Sequence, residues 1–136
     1  GSVCGCSSTN VLFFDSSNPS IVGKNQKNLQ QIDIMPSIID YLNIDSKMIT
    51  YGKSYESAKD FVVYYLDNIY HYVSGDYYLA FDGKKSLGLY NFKKDELLKT
   101  NVIKTEKAKA TEMETFIKAY IQSFNERMIG NKLTLQ

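Results

Sequence analysis

Tyr70-His71-Tyr72-Val73-Ser74-Gly75-Asp76-Tyr77-Tyr78-Leu79-Ala80-Phe81-Asp82-Gly83-Lys84-Lys85-Ser86-Leu87-Gly88-Leu89-Tyr90 decides the fold. Three aromatic or β-branched runs are separated by Ser74-Gly75-Asp76 and Asp82-Gly83-Lys84-Lys85, whose Gly-Asp and Asp-Gly pairs suit tight hairpins because glycine enters left-handed backbone without a Cβ clash. Connections this short leave no room for a crossover helix, so the strands form an antiparallel meander rather than a βαβ series. Just upstream, past the turn Tyr51-Gly52-Lys53-Ser54, the run Phe61-Val62-Val63-Tyr64-Tyr65 adds another strand. The sequence therefore predicts a sheet of three to four strands.

From Thr105 the period changes. Met113, Phe116, Ile117, Tyr120, Ile121, Phe124 and Met128 share one face of a helix, Lys, Glu and Gln fill the other, and Gly130-Asn131 stops it. Such a helix covers one face of the meander, giving an α+β fold in which Phe116 and Phe124 are expected to point into the sheet. On the N-terminal side, the unbroken apolar run Val11-Leu12-Phe13-Phe14, followed by Asp15 to Pro19, predicts a buried strand over 11–15. Ile32, Ile34, Met35, Ile38, Ile39 and Leu42 predict a short helix over 31–43, with Pro36 tolerable if it lies in the first turn. The chain thus divides into 1–54, a strand and helix that look like the tail of a larger sheet, and 55–136, the meander and its helix.

Size and charge narrow the function. A chain of 136 residues holds one ordinary core. Its 16 basic and 15 acidic residues supply no basic footprint for nucleic acid. No apolar run reaches the roughly 18 residues a membrane span needs, so a soluble fragment is expected.

Few residues offer chemistry. His71 is the lone histidine, which excludes a zinc site needing two imidazoles, and in its Tyr-His-Tyr strand it reads as a half-exposed sheet residue. Cys4 and Cys6 make neither a disulfide framework nor a four-ligand metal site and read as free thiols. Asp33, Asp40 and Asp45 lie on or beside the first helix with no third ligand, and capping or surface roles are expected. Gly23, Gly52, Gly75, Gly83 and Gly88 assemble no phosphate loop. Tyr64, Tyr65, Tyr70, Tyr72, Tyr77, Tyr78 and Tyr90 could form a stacking surface, but alternation sends half of them under the helix. No catalytic, cofactor-binding or metal-ligating residue is assigned.

Four segments nevertheless resemble one family, in order. Leu87-Gly88-Leu89-Tyr90-Asn91-Phe92-Lys93-Lys94-Asp95-Glu96-Leu97-Leu98-Lys99-Thr100-Asn101 resembles the Leu-Tyr-Asp-Leu-x-x-Asp-Pro-x-Glu-x-x-Asn-Leu segment near the C-terminus of sulfatases and their alkaline-phosphatase-superfamily relatives. Gln31 to Ile44 is similar to the Gln-x-Asp-x-x-Pro-Thr-x-Leu-x-x-Leu-Gly helix, with Ser37 for Thr and Asn43 for Gly. Tyr51-Gly52-Lys53-Ser54-Tyr55 is similar to the Gly-x-Ser-Leu turn, and Val11 to Pro19 to the Pro-x-Ile-x-Tyr-x-Pro strand. The nearest subgroup is the bacterial lipoteichoic-acid-synthase-like phosphoglycerol transferases.

The resemblance implies the C-terminal portion of an alkaline-phosphatase-like fold, from an enzyme of sulfuric or phosphoric ester hydrolysis or transfer on the extracytoplasmic face of a bacterial membrane. In that family a divalent metal, held by Asp and His, activates a Thr, Ser or modified Cys nucleophile. This chain has no Asp-His pair, and Cys6-Ser7-Ser8-Thr9 lacks the Pro and Arg of the cysteine-modification motif. The implied reading is a segment inactive alone, whose partner is the missing N-terminal catalytic domain and which forms a homo-oligomer in isolation. The alternatives are a self-contained tyrosine-rich module for a glycan or protein, and a small cysteine-dependent enzyme built on Cys6 and His71.

Overall fold

A computed structural model describes residues 11–21 and 23–134. Four antiparallel strands, β1 (Phe61–Leu66), β2 (Ile69–Ser74), β3 (Tyr77–Phe81) and β4 (Ser86–Asn91), stand in sequence order in one sheet. The expected meander is present. Leu66 pairs with Ile69, leaving Asp67 and Asn68 as a two-residue turn with φ of +52° and +63°. Left-handed backbone at both positions matches the twist of the strands, and Asp and Asn are among the side chains that tolerate it best. In the third hairpin Gly83 takes φ +93° while the Asp82 carboxylate accepts the Lys84 and Lys85 amides, each at 2.8 Å.

Alternation sorts the sheet into two faces. Val63, Tyr72, Leu79 and Leu89 lie side by side across the four strands on one of them. Over that face runs α2 (Lys107–Ile129), which buries Ala110, Met113 and Ile117 against Tyr72, Leu79, Phe81 and Leu89. The covering helix is as expected, and Met113 and Ile117 of its stripe enter the core, but Phe116 and Phe124 do not. Phe116 and Phe124 are each 37% exposed and pack at the β1 side: Phe116 stacks on Tyr72 at 4.9 Å and meets Phe61 edge-on, whereas Phe124 meets Tyr51. The smaller Met113 and Ile117, fully buried, take the centre.

The N-terminal third also departs from expectation. Residues 11–15 form no strand, and Leu12 and Phe14 are 90% and 85% exposed. The helix expected over 31–43 begins as a 3-10 turn, Gln31–Asp33, and continues as α1 (Ile34–Tyr41), with Pro36 in the first turn where its missing N–H costs nothing. Asn43, in the left-handed region at φ +50°, follows its end.

Candidate functional site

Two of the resembling segments, 31–44 and 51–55, meet at the outer edge of β1. Asp33 and Lys53 form a buried ion pair at 2.7 Å, their side chains 3% and 4% exposed. The ammonium spends all three protons, on Asp33 Oδ2, the Asn28 carbonyl at 2.9 Å and the Phe61 carbonyl at 2.9 Å. The carboxylate in turn accepts the Gln30 amide at 3.0 Å and the Lys53 amide at 2.8 Å. A charge pair this far from water persists only when its remaining hydrogen-bonding capacity is met, and here it is. Asp33 is thus a capping residue, as one of its expected roles allowed, accepting the Gln30 amide at the start of the 3-10 turn, but a buried one rather than a surface carboxylate. It ties the start of α1, the 51–55 turn and β1 into one frame.

The same frame explains its neighbours. A methyl group on Gly52 would sit 2.1 Å from the Ile32 carbonyl oxygen, so only glycine lets the turn lie against the helix entry. Ser37, buried, donates to the Asp33 carbonyl and accepts the Tyr55 amide at 3.0 Å. Asp40 accepts from Ser54 Oγ at 2.5 Å, a surface role as expected, and Asp45 is exposed. Gln30 Oε1 accepts the Val63 amide at 3.1 Å, so side chains rather than a fifth strand satisfy this part of the sheet edge. At the opposite edge Asn101 does the same work: its Oδ1 accepts the Leu89 amide at 3.2 Å and the Ile103 amide at 3.1 Å. Beside it the Val102 amide donates to the Leu89 carbonyl at 2.8 Å.

His71 lies on the sheet face away from α2, within a row of rings crossing all four strands. Its imidazole is parallel to Tyr64 at 4.5 Å and faces Tyr78 at 5.8 Å, and Tyr78 in turn lies 5.9 Å from Tyr90. Nε2 sits 3.3 Å from the Leu66 carbonyl and Nδ1 2.7 Å from the Tyr78 hydroxyl. A carbonyl only accepts, so Nε2 carries the proton and Nδ1 accepts from Tyr78. The Tyr90 ring folds back over Gly88, where any side chain would strike it. None of these four rings is freely exposed, because each is shielded by the next. The remaining tyrosines divide as alternation requires: Tyr65, Tyr70, Tyr72 and Tyr77 are on the helix face, and burial raises the Tyr72 pKa.

Among the described residues no three His, Cys, Asp or Glu side chains converge to hold a metal ion, and His71 has no carboxylate or thiol partner. Cys4 and Cys6 fall outside the described residues. No helix among the described residues is long and apolar enough to cross a membrane. The residue that sequence reasoning missed is Lys53, which looked like one more polar turn residue. A lysine becomes a buried anchor only when a distant segment presents a carboxylate and free carbonyls, and nothing local signals that. Comparison with known proteins finds no family model that matches the chain and no curated relative.

Proposed function

We propose that the chain is the non-catalytic C-terminal portion of a sulfatase or phosphoglycerol-transferase-like enzyme of the alkaline phosphatase superfamily. One observation supports this reading: in the resembling segments Lys53 and Asn101 spend their side chains on holding backbone, and Asp33 holds Lys53 in place. Asp33 and Lys53 bind the β1 edge, Gly52 clears the Ile32 carbonyl, and Asn101 closes the β4 edge. Residues used in this way build a frame. The catalytic domain of the same protein, with its divalent metal and nucleophile, would then be the partner of this frame, on the extracytoplasmic face of a bacterial membrane.

The apolar surface of the N-terminal third supports the same assignment. Leu12, Phe14, Met35 and Leu42 are more than half exposed, on elements that would pack against a larger sheet. In isolation this surface pairs the chain with a second copy. The rival glycan-binding reading is disfavoured by the ring row opposite α2. Sugar stacking needs open ring faces, and there the rings cover one another. The reading is tested by following the coding frame upstream of Gly1. Asp and His metal ligands with a Thr, Ser or Cys nucleophile in frame support it, and an upstream stop codon with no such residues refutes it.

A further inference from the structure

We propose that residues 11–18 are an arm latched to α1 through the Asp15 carboxylate, so that arm and helix hold one relative orientation and separate when the latch opens. Asp15 Oδ2 accepts from the hydroxyl of Tyr41, the last residue of α1, at 2.5 Å. Its other oxygen accepts the Ser17 amide at 2.8 Å and the Ser17 hydroxyl at 2.6 Å, which curls the arm around the carboxylate. Asn18 Nδ2 donates to the same Tyr41 oxygen at 3.1 Å, closing a three-residue ring of hydrogen bonds. Tyr41 is thus donor and acceptor at once, and its hydroxyl joins two points of the arm to one point of the helix.

Packing holds the arm on one side only. Leu12 and Phe14 are almost fully in solvent, while Phe13, half-covered, stacks on Tyr55 with 6.5 Å between centroids. The polar ring is the catch. No ion pair among the described residues shares Asp15, so the titratable group facing it is Tyr41. The two shift each other apart: hydrogen bonds from Ser17 and Tyr41 lower the Asp15 pKa, and Asp15 raises that of Tyr41. The latch is closed at neutral pH and opens as pH falls through the lowered Asp15 value. Latched, the apolar run Val11 to Phe14 leaves α1 in a set direction, as one piece with the helix. Its use as a strand of a larger sheet rests on the function proposed above, but the latch itself does not.

Hydrogen exchange on the full chain tests it, comparing the parent sequence with Tyr41→Phe, Asp15→Ala and the double variant at pH 7. Each single variant is expected to speed exchange of the Ser17 and Asn18 amides several-fold while β2 and β3 amides keep their rates. The double variant is expected to go no faster than Asp15→Ala, which already removes the partner of both Tyr41 and Ser17. Acidification, after correction for intrinsic exchange, should remove the protection from the parent chain and change nothing in Asp15→Ala. Unchanged Ser17 and Asn18 rates in Tyr41→Phe overturn the proposal, as does equal acceleration of the sheet amides, which signals general loosening. Either result leaves the coding-frame test of the larger reading untouched.

Discussion

Replacing Lys53 with Met keeps the length of the side chain and removes its charge, which isolates what the buried pair with Asp33 contributes. The loss has three parts. Asp33, 3% exposed, keeps two backbone donors but no counter-charge, and the Asn28 and Phe61 carbonyls each lose the proton that satisfied them. Removing one partner of a buried ion pair costs about 3–5 kcal/mol, chiefly through the charge left behind. Set against a total stability of about 5–15 kcal/mol, that is about a fifth or more of what holds the domain together. Urea unfolding followed by tyrosine fluorescence suits a chain with eleven Tyr and no Trp. The double variant Lys53→Met with Asp33→Leu should recover part of the loss, since no charge then remains buried. The exposed pair Lys93–Asp76, also 2.7 Å long, is the control, and Lys93→Met should leave the midpoint nearly unchanged. A loss below about 1 kcal/mol for Lys53→Met, or a double variant as weak as the sum of the singles, would refute the claim that this pair anchors the frame.

Four further outcomes are expected. Gly52→Ala should disrupt the junction of α1 with the 51–55 turn, seen as faster exchange of the Lys53 and Tyr55 amides, because its methyl meets backbone rather than a yielding side chain. Met113→Ala or Ile117→Ala should cost about 2–5 kcal/mol in chemical unfolding, and Phe124→Ala clearly less, since only the first two are fully buried. Burial holds the Tyr120 phenol up to about 12 against an ordinary value of 10.0, so its contribution to stability is complete below pH 10 and is lost as pH rises toward 12. Melting curves over that range should fall less steeply in Tyr120→Phe. The purified chain should turn over neither aryl sulfates nor phosphodiesters with any divalent metal added. Turnover above a blank and lost on chelation would contradict the assignment of no catalytic residue.

Most of the sheet was legible because its information is local. Alternating aromatic and β-branched residues between Gly-Asp and Asp-Gly turns specify strands and hairpins within a few residues, and each of the four observed strands lies within a residue or two of the run that predicted it. The helix stripe was equally clear, yet it overstated Phe116 and Phe124. A stripe tells which side of a helix faces the core, whereas the crossing position on the sheet decides which residues reach its centre. The run Val11 to Phe14 failed as a strand for a simpler reason: strand propensity needs a partner edge, and the edges of this sheet are occupied by Gln30, Lys53, Asn101 and Val102. The Asp33–Lys53 anchor was invisible because it joins residues 20 apart through a fold that had first to be known. The ring row through His71 was legible only in part: alternation sends half of the tyrosines to each face, whereas the register that sets Tyr64, His71, Tyr78 and Tyr90 side by side, and their mutual shielding, belong to the fold.

The central claim is that these residues frame a catalytic domain encoded in the same protein, and the coding frame upstream of Gly1 tests it most directly. The account predicts an open frame long enough for an α/β domain, carrying clustered Asp and His ligands and a Thr, Ser or Cys nucleophile. A start codon at or close to Gly1, preceded by an in-frame stop, would contradict it.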